Sequence, residues 1–215
     1  MKKVFFLFLM GLTWFLCSCS HFDIYKDAIS KTVEINCQNE YLKSSATGAL
    51  ISNDGYILTN KHVVKDFTTN STIKARFISE EECVAEIKYI SDEYDLCLLK
   101  IEKETEYFSH LSEEFEIGEE VYTIGNPKGY GLAINKGIIS STYKNVIYKE
   151  ESILAIQTSI EIYDGSSGGP LYNSKGELLG IMTFRIRDNG AYIPGMSFAI
   201  PTKIIKEFIK GDNIE

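Results

Sequence analysis

The sequence predicts an all-β chain closed into two small antiparallel barrels and ended by one amphipathic helix. Three observations predict it. From Lys31 onward, apolar residues come in short runs rich in Ile, Val, Tyr and Phe, bounded by Gly, Asn, Asp or Ser. Asp-Gly and Lys-Gly pairs stand between consecutive runs, where tight hairpin turns need them. About twelve such runs in roughly 175 residues suit a pair of closed barrels better than one large open sheet.

In order along the chain, "TGALIS" and "YILTN" flank "NDG" and form a first hairpin. "TIKARFI", "CVAEIKYIS", "DLCLLKI", "EEVYTIGN", "GIISSTY" and "ILAIQTSI" follow as strands, and "LYNSKGELLGIMTF" repeats the hairpin around Lys175 and Gly176. Only "PTKIIKEFIKGDN" has helical spacing, with Ile204, Ile205, Phe208 and Ile209 on one stripe and Pro201 near its start. Neither an internal repeat nor a low-complexity linker divides the chain.

With 215 residues, 44% hydrophobic, 24% charged and only four prolines, the chain can bury a sizeable core and is not a disordered sequence. Its net charge is −8, and no basic run follows the first three residues, so nucleic acid is not an expected partner. The start, "MKKVFFLFLMGLTWFLCSCS", pairs Lys2 and Lys3 with an apolar run from Val4 to Leu16. That run suits the core of a signal peptide better than a membrane span. "LCSC", Leu16 to Cys19, resembles the lipobox of bacterial lipoproteins. The resemblance implies cleavage before Cys19, acylation of its sulfur, and a protein tethered at the periplasmic or extracytoplasmic face of the cell envelope. Cleavage with release is the alternative. Cleavage before Cys17 would put Trp14 and Leu16 at the flanking positions, a poor match. Removing residues 1–18 takes away two lysines and no acid, turning −8 into −10.

Cys37, Cys83 and Cys97 remain. Their spacing carries no CxxC metal pattern, and no cofactor is implied. One disulfide is permitted in an oxidising compartment, Cys83–Cys97 being the nearest pair, although small core residues are the simpler reading.

The stretch "EIYDGSSGGPLY", residues 161–172, could be a flexible turn or could hold a nucleophile. A serine hydroxyl needs a neutral imidazole to take its proton. Of the three histidines, His21 adjoins the anchor and His110 lies in the irregular "YFSHLSEEF", whereas His62 follows the first hairpin in "YILTNKHVVKD", framed by strand and turn. The imidazole in turn needs an orienting acid. Asp95 in "EYDLCLLKI" heads an apolar strand, where an acid is costly to bury without a partner; Asp92 sits in a solvated turn. The oxyanion of acyl transfer requires aimed N–H donors. A glycine two positions before the nucleophile lets two of them converge, and only Ser167 has one, Gly165, whereas Ser166 has Asp164. His62, Asp95 and Ser167 are therefore the expected catalytic residues, with the N–H groups of Gly165 and Ser167 as the oxyanion hole.

"TNKHVV", "DLCLLKI" and "GSSGGPL", in that order and separated by gaps of 33 and 72 residues, resemble the His, Asp and Ser signatures of trypsin-like serine peptidases. "IGNPKG", "GIIS", "GELLGI" and "MSFAIP" add similarity to the HtrA/DegP branch, over about residues 45–201 in all. The resemblance implies two six-stranded barrels (about 31–110 and 115–201) meeting at a cleft, and hydrolysis of peptide bonds in envelope proteins through an acyl-enzyme; the lipobox adds a tether over 19–30, and the apolar stripe a terminal helix from 202. Homo-oligomers such as the trimers of that branch are compatible with it. This sequence departs in two places. Ser166 stands where that branch carries Asn and digestive enzymes carry an Asp that pairs with a new N-terminus, so activity without such processing is expected. The sequence also ends after the helix, where the branch commonly continues into a PDZ domain.

The same resemblance lines the primary specificity pocket with Glu161 to Asp164, with Thr183 to Arg185 and with Gly195 to Ser197. Glu161 at the pocket floor would favour Lys or Arg substrates unless Arg185 or Arg187 neutralises it or it faces solvent. Two other readings are a non-catalytic peptide-binding or chaperone protein on the same fold, and a structural envelope lipoprotein with no cleft.

Overall fold

The computed structural model describes residues 23–148 and 151–210. Strands β1 (Thr32–Gln38), β2 (Lys43–Leu50), β3 (Tyr56–Thr59), β4 (Thr72–Arg76), β5 (Glu82–Ile90) and β6 (Cys97–Ile101) close into an antiparallel barrel in the order β1-β2-β3-β6-β5-β4. Strands β7 (Glu120–Gly125), β8 (Ala133–Tyr148), β9 (Glu151–Thr158), β10 (Pro170–Asn173), β11 (Leu178–Asp188) and β12 (Ala191–Pro201) close into a second, β10-β11-β12-β9-β8-β7. Both orders describe one connectivity, used twice.

Alternation explains the closure. In β1, Val33, Ile35 and Cys37 are buried while Glu34 and Asn36 between them are half-exposed, the period of two expected of a strand with one wet face. Leu50, Ile57 and Leu99 complete the first core, and Val121, Ile156, Leu171 and Met182 belong to the second. A third cluster lies between the barrels, where Leu58, Leu96 and Leu98 meet Tyr122, Ile124 and Ile181. Apolar surface shared across the barrels makes their relative orientation part of the core.

The second barrel departs from the expectation of short strands. β8 runs 16 residues, and β11 and β12 run 11 each. The β11–β12 hairpin turns at Asn189 (φ 48°) and Gly190 (φ 83°), a left-handed pair that an Asn-Gly dipeptide supplies without strain. That signal was in the sequence and marks a hairpin the run-by-run reading passed over.

Among the described residues, three α-helices and a 3-10 turn over Pro127–Gly129 complete the fold. Residues 23–30 form α1, part of the segment expected as a tether; Ala28 is buried, and Ile24 and Tyr25 pack against the cluster between the barrels. α2 is the single turn Lys61–Val64. α3 (Thr202–Lys210) buries Ile204, Ile205, Phe208 and Ile209, the predicted stripe. Among the described residues no helix is long and apolar enough to cross a membrane. Cys37, Cys83 and Cys97 are all free thiols. Burial pushes the thiols of Cys37 and Cys97 up to about 12, so both behave as small core residues.

Candidate active site

The site is assembled where β3 and β6 of the first barrel face β11 and the β9–β10 loop of the second. β3 ends at Thr59, and Asn60, in extended conformation, caps α2. The Asn60 side-chain amide donates to the Asp95 carbonyl at 2.9 Å, tying the start of α2 to the approach to β6. His62, on that turn, thereby stands beside Asp95.

The Asp95 carboxylate receives three hydrogen bonds. The His62 backbone N–H donates to Oδ1 at 2.8 Å, His62 Nδ1 lies 2.7 Å from Oδ2, and the Thr183 hydroxyl donates to Oδ2 at 2.8 Å. Desolvation pushes the Asp95 carboxyl up, but the hydrogen bond and charge of the His62 ring, its backbone N–H and the Thr183 hydroxyl together hold it below the ordinary aspartate value. An ionised carboxylate only accepts, so it fixes the proton of the neutral imidazole on Nδ1 and leaves Nε2 with a lone pair for an incoming proton. Thr183 had been expected at the specificity pocket; its bond to Asp95 is a role the sequence reading missed.

Ser166 and Ser167 separate cleanly. Ser166 is 2% exposed, its Oγ accepts the Tyr163 N–H at 3.3 Å, and its N–H is spent on the Tyr163 carbonyl at 2.8 Å. Ser167 opens on a cleft of about 680 Å³ that is also lined by His62, Asp95 and Thr183. Among the described residues its hydroxyl has no hydrogen-bond partner, so it is available to a carbonyl in the cleft. Contacts of this kind commonly tighten only when substrate is bound. A second recess, of about 660 Å³, reaches His62 and Asp95 from the side of β9 and α3.

Backbone bonds on the far side of the serine loop determine where its N–H groups point. The Asp164 carbonyl accepts from the Lys128 N–H at 2.7 Å, and the Ser166 carbonyl accepts from the Gly169 N–H at 3.0 Å. Across a trans peptide C=O and N–H point in opposite directions. The N–H groups of Gly165 and Ser167 are therefore turned the other way, and neither donates to any described residue. Gly165 holds φ +94°, and a Cβ there would lie 2.1 Å from the Asn126 carbonyl oxygen, so only glycine fits.

A buried polar bridge braces this loop from the first barrel. The Thr47 hydroxyl donates to the Gly165 carbonyl at 2.8 Å and accepts the Asn126 N–H at 3.0 Å, and the Thr47 N–H donates to the Ser167 carbonyl at 3.0 Å. The Asn126 amide reaches Glu34 at 3.1 Å and Ser45 at 3.0 Å. Asn126 and Lys128 belong to the "IGNPKG" stretch.

The remaining expected pocket residues divide. Arg185 lines the cleft, together with Tyr163 and Asp164. Glu161 is exposed, is not among the residues lining the cleft, and accepts the Gly195 N–H at 3.1 Å. Cys19 lies outside the described residues.

Two barrels of one connectivity, packed about an open cleft, define the trypsin-like class of fold. The chain belongs to the trypsin-like peptidase domain family, which matches residues 46–181. The protein of Ectopseudomonas mendocina named "Probable periplasmic serine endoprotease DegP-like" is 36% identical over 175 residues, covering 79% of this chain and 36% of that one. Its namesake from Chlamydia trachomatis is 34% identical over 165 residues, 76% of this chain and 32% of that one. The chain thus spans about a third of the length of these curated relatives. Among solved structures, the HtrA-type protease AlgW with a tripeptide superposes with a TM-score of 0.80 at 29% identity, over 89% of this chain and 62% of that one. A serine endoprotease from Yersinia pestis gives 0.75 at 29% identity, over 89% and 65%.

Proposed function

We propose that this chain is a serine endopeptidase that hydrolyses peptide bonds of proteins in the bacterial envelope. The observation that carries it is the conjunction, at one cleft, of the His62–Asp95 pair with the open Ser167 hydroxyl and the two undonated N–H groups behind it. Nε2 of His62 takes the Ser167 proton as Oγ attacks the peptide carbonyl, and the developing oxyanion moves toward the Gly165 and Ser167 N–H groups. His62 then returns the proton to the leaving amine, and water repeats the sequence on the acyl-enzyme. The neighbours' names, serine endoprotease and HtrA-type protease, support this reading.

Placement in the envelope, with acylation at Cys19, rests on the signal-like start, the lipobox resemblance and the periplasmic relatives. Fatty-acid labelling should be lost in Cys19→Ala; unchanged labelling defeats the anchor. For the chemistry, a fluorophosphonate probe on the full-length protein should mark Ser167, and mass spectrometry should find no adduct in Ser167→Ala but an unaltered one in Ser166→Ala. Ser167→Ala should lower kcat by roughly 10⁶-fold at nearly unchanged stability. A folded protein that stays unlabelled even with unfolded protein substrate present would make this a peptide-binding protein on a peptidase fold.

A further inference from the structure

The wall of the cleft formed by β11 carries a charge pattern that the proposed activity leaves unused. Arg185 has only 8% of its side chain exposed, its Cζ lies 3.3 Å from the Tyr192 ring centroid and 5.3 Å from that of Tyr163, and it lines the cleft that holds Ser167. Among the described residues the carboxylate oxygen beside it, Asp164 Oδ1, is 3.8 Å away, beyond hydrogen-bond distance. The other Asp164 oxygen is taken by Lys128 Nζ at 2.7 Å. Stacking on aromatic faces suits a guanidinium but satisfies none of its N–H donors. Among the described residues the Arg185 side chain donates no hydrogen bond at all, although it is nine-tenths buried.

The two carboxylates that line the same cleft, Asp164 and Asp95, are both engaged, Asp164 by Lys128. Asp95 is already saturated by His62 and Thr183. Glu161, which would have reversed the sign, stands outside the lining with its carboxylate on the Gly195 N–H. A desolvated guanidinium with idle donors recognises a carboxylate by paired charge-assisted hydrogen bonds.

We propose that Arg185 makes the cleft select substrates with an acidic side chain, Glu or Asp, at the residue whose carbonyl Ser167 attacks. The inference rests on the peptidase reading and sharpens it into a substrate class. The carboxylate meets the guanidinium at its edge and takes the donors that Asp164 leaves unused. An uncharged isostere leaves those donors unpaired and loses that gain.

The test uses the full-length protein with matched peptides differing only in Glu, Gln, Val or Lys before the scissile bond, and fluorophosphonate labelling of each sample in parallel. Glu should exceed Gln in kcat/KM by about 10- to 100-fold. Arg185→Ile should erase that ratio, and Arg185→Lys should restore part of it. Labelled wild-type protein that prefers Val or Lys, or does not discriminate, overturns the proposal. So does an acidic preference that survives in folded Arg185→Ile. Absent labelling, or labelled protein that cleaves nothing, strikes the peptidase reading instead.

Discussion

The two barrels share one connectivity and differ in what extends beyond it. In the first, strands run from four to nine residues, and what they contribute to the site, His62 and Asp95, is tied by hydrogen bonds to backbone and to each other. In the second, β8, β11 and β12 extend past the barrel and gather around a small separate cluster of Ala155, Phe184 and Phe198, with Ile153 packed against it. The charged wall around Arg185 sits on this extension. The proposed proton transfer tolerates little geometric error, so its base and the carboxylate that orients it belong on short, fully bonded elements. Recognition can be carried on longer hairpins, whose side chains change without disturbing either core.

This contrast can be broken by substitution. The largest expected effect is Asp95→Asn, which gives His62 Nδ1 an amide donor in place of an acceptor and favours the wrong tautomer. Steady-state kinetics should show kcat down by about 10⁴ with the fold intact. Next is Leu99→Ala in the first core, which should cost about 2–5 kcal/mol in urea unfolding while leaving activity per folded molecule unchanged. A loss of catalysis without loss of stability there would mean that the first barrel does more than hold its two site residues.

Thr47→Val is of intermediate size. It deletes the hydroxyl that holds both the Gly165 carbonyl and the Asn126 N–H, and should lower kcat by about 10- to 100-fold with KM little altered. A change in KM alone would remove Thr47 from the support of the oxyanion hole. Ile153→Ala, in the extension, should cost less than about 1 kcal/mol of stability yet alter the cleavage pattern of an unfolded protein substrate. An unchanged pattern would detach that extension from recognition.

The smallest effect is a slope. The Asp95 carboxyl is held below the aspartate value of 3.8 in the folded state, so its stabilisation is present above that pH and is lost as pH falls through the folded value. Unfolding free energies at pH 7 and pH 3 should therefore differ less in Asp95→Asn than in wild type. Equal differences would mean that Asp95 is not held ionised by folding.

Much of the architecture was legible without coordinates because its causes are local. Runs of β-formers, Asp54-Gly55 and Lys175-Gly176 between them, and the α3 stripe each act within a few residues. The contact of His62 with Asp95 could be anticipated because so few histidines compete, and Ser167 stands as the candidate nucleophile because one backbone argument separates it from Ser166. The length of β8 and the packing of α1 were not legible, since an exposed hairpin and a docked helix depend on surfaces supplied from elsewhere in the chain.

By itself, then, the sequence determined which segments become strands, where most hairpins turn, and which side chains, His62, Asp95 and Ser167, are the candidates for the proposed acyl transfer. Only the tertiary structure decided how those groups are held and what surrounds them. Thr183 meets Asp95 across 88 residues, Thr47 meets Asn126 across 79, and Thr47 meets Gly165 across 118. The choice of Arg185 over Glu161 for the cleft wall is of the same kind. Local propensity carries no record of such pairs, because each forms only after both barrels have closed and their shared core has set one against the other.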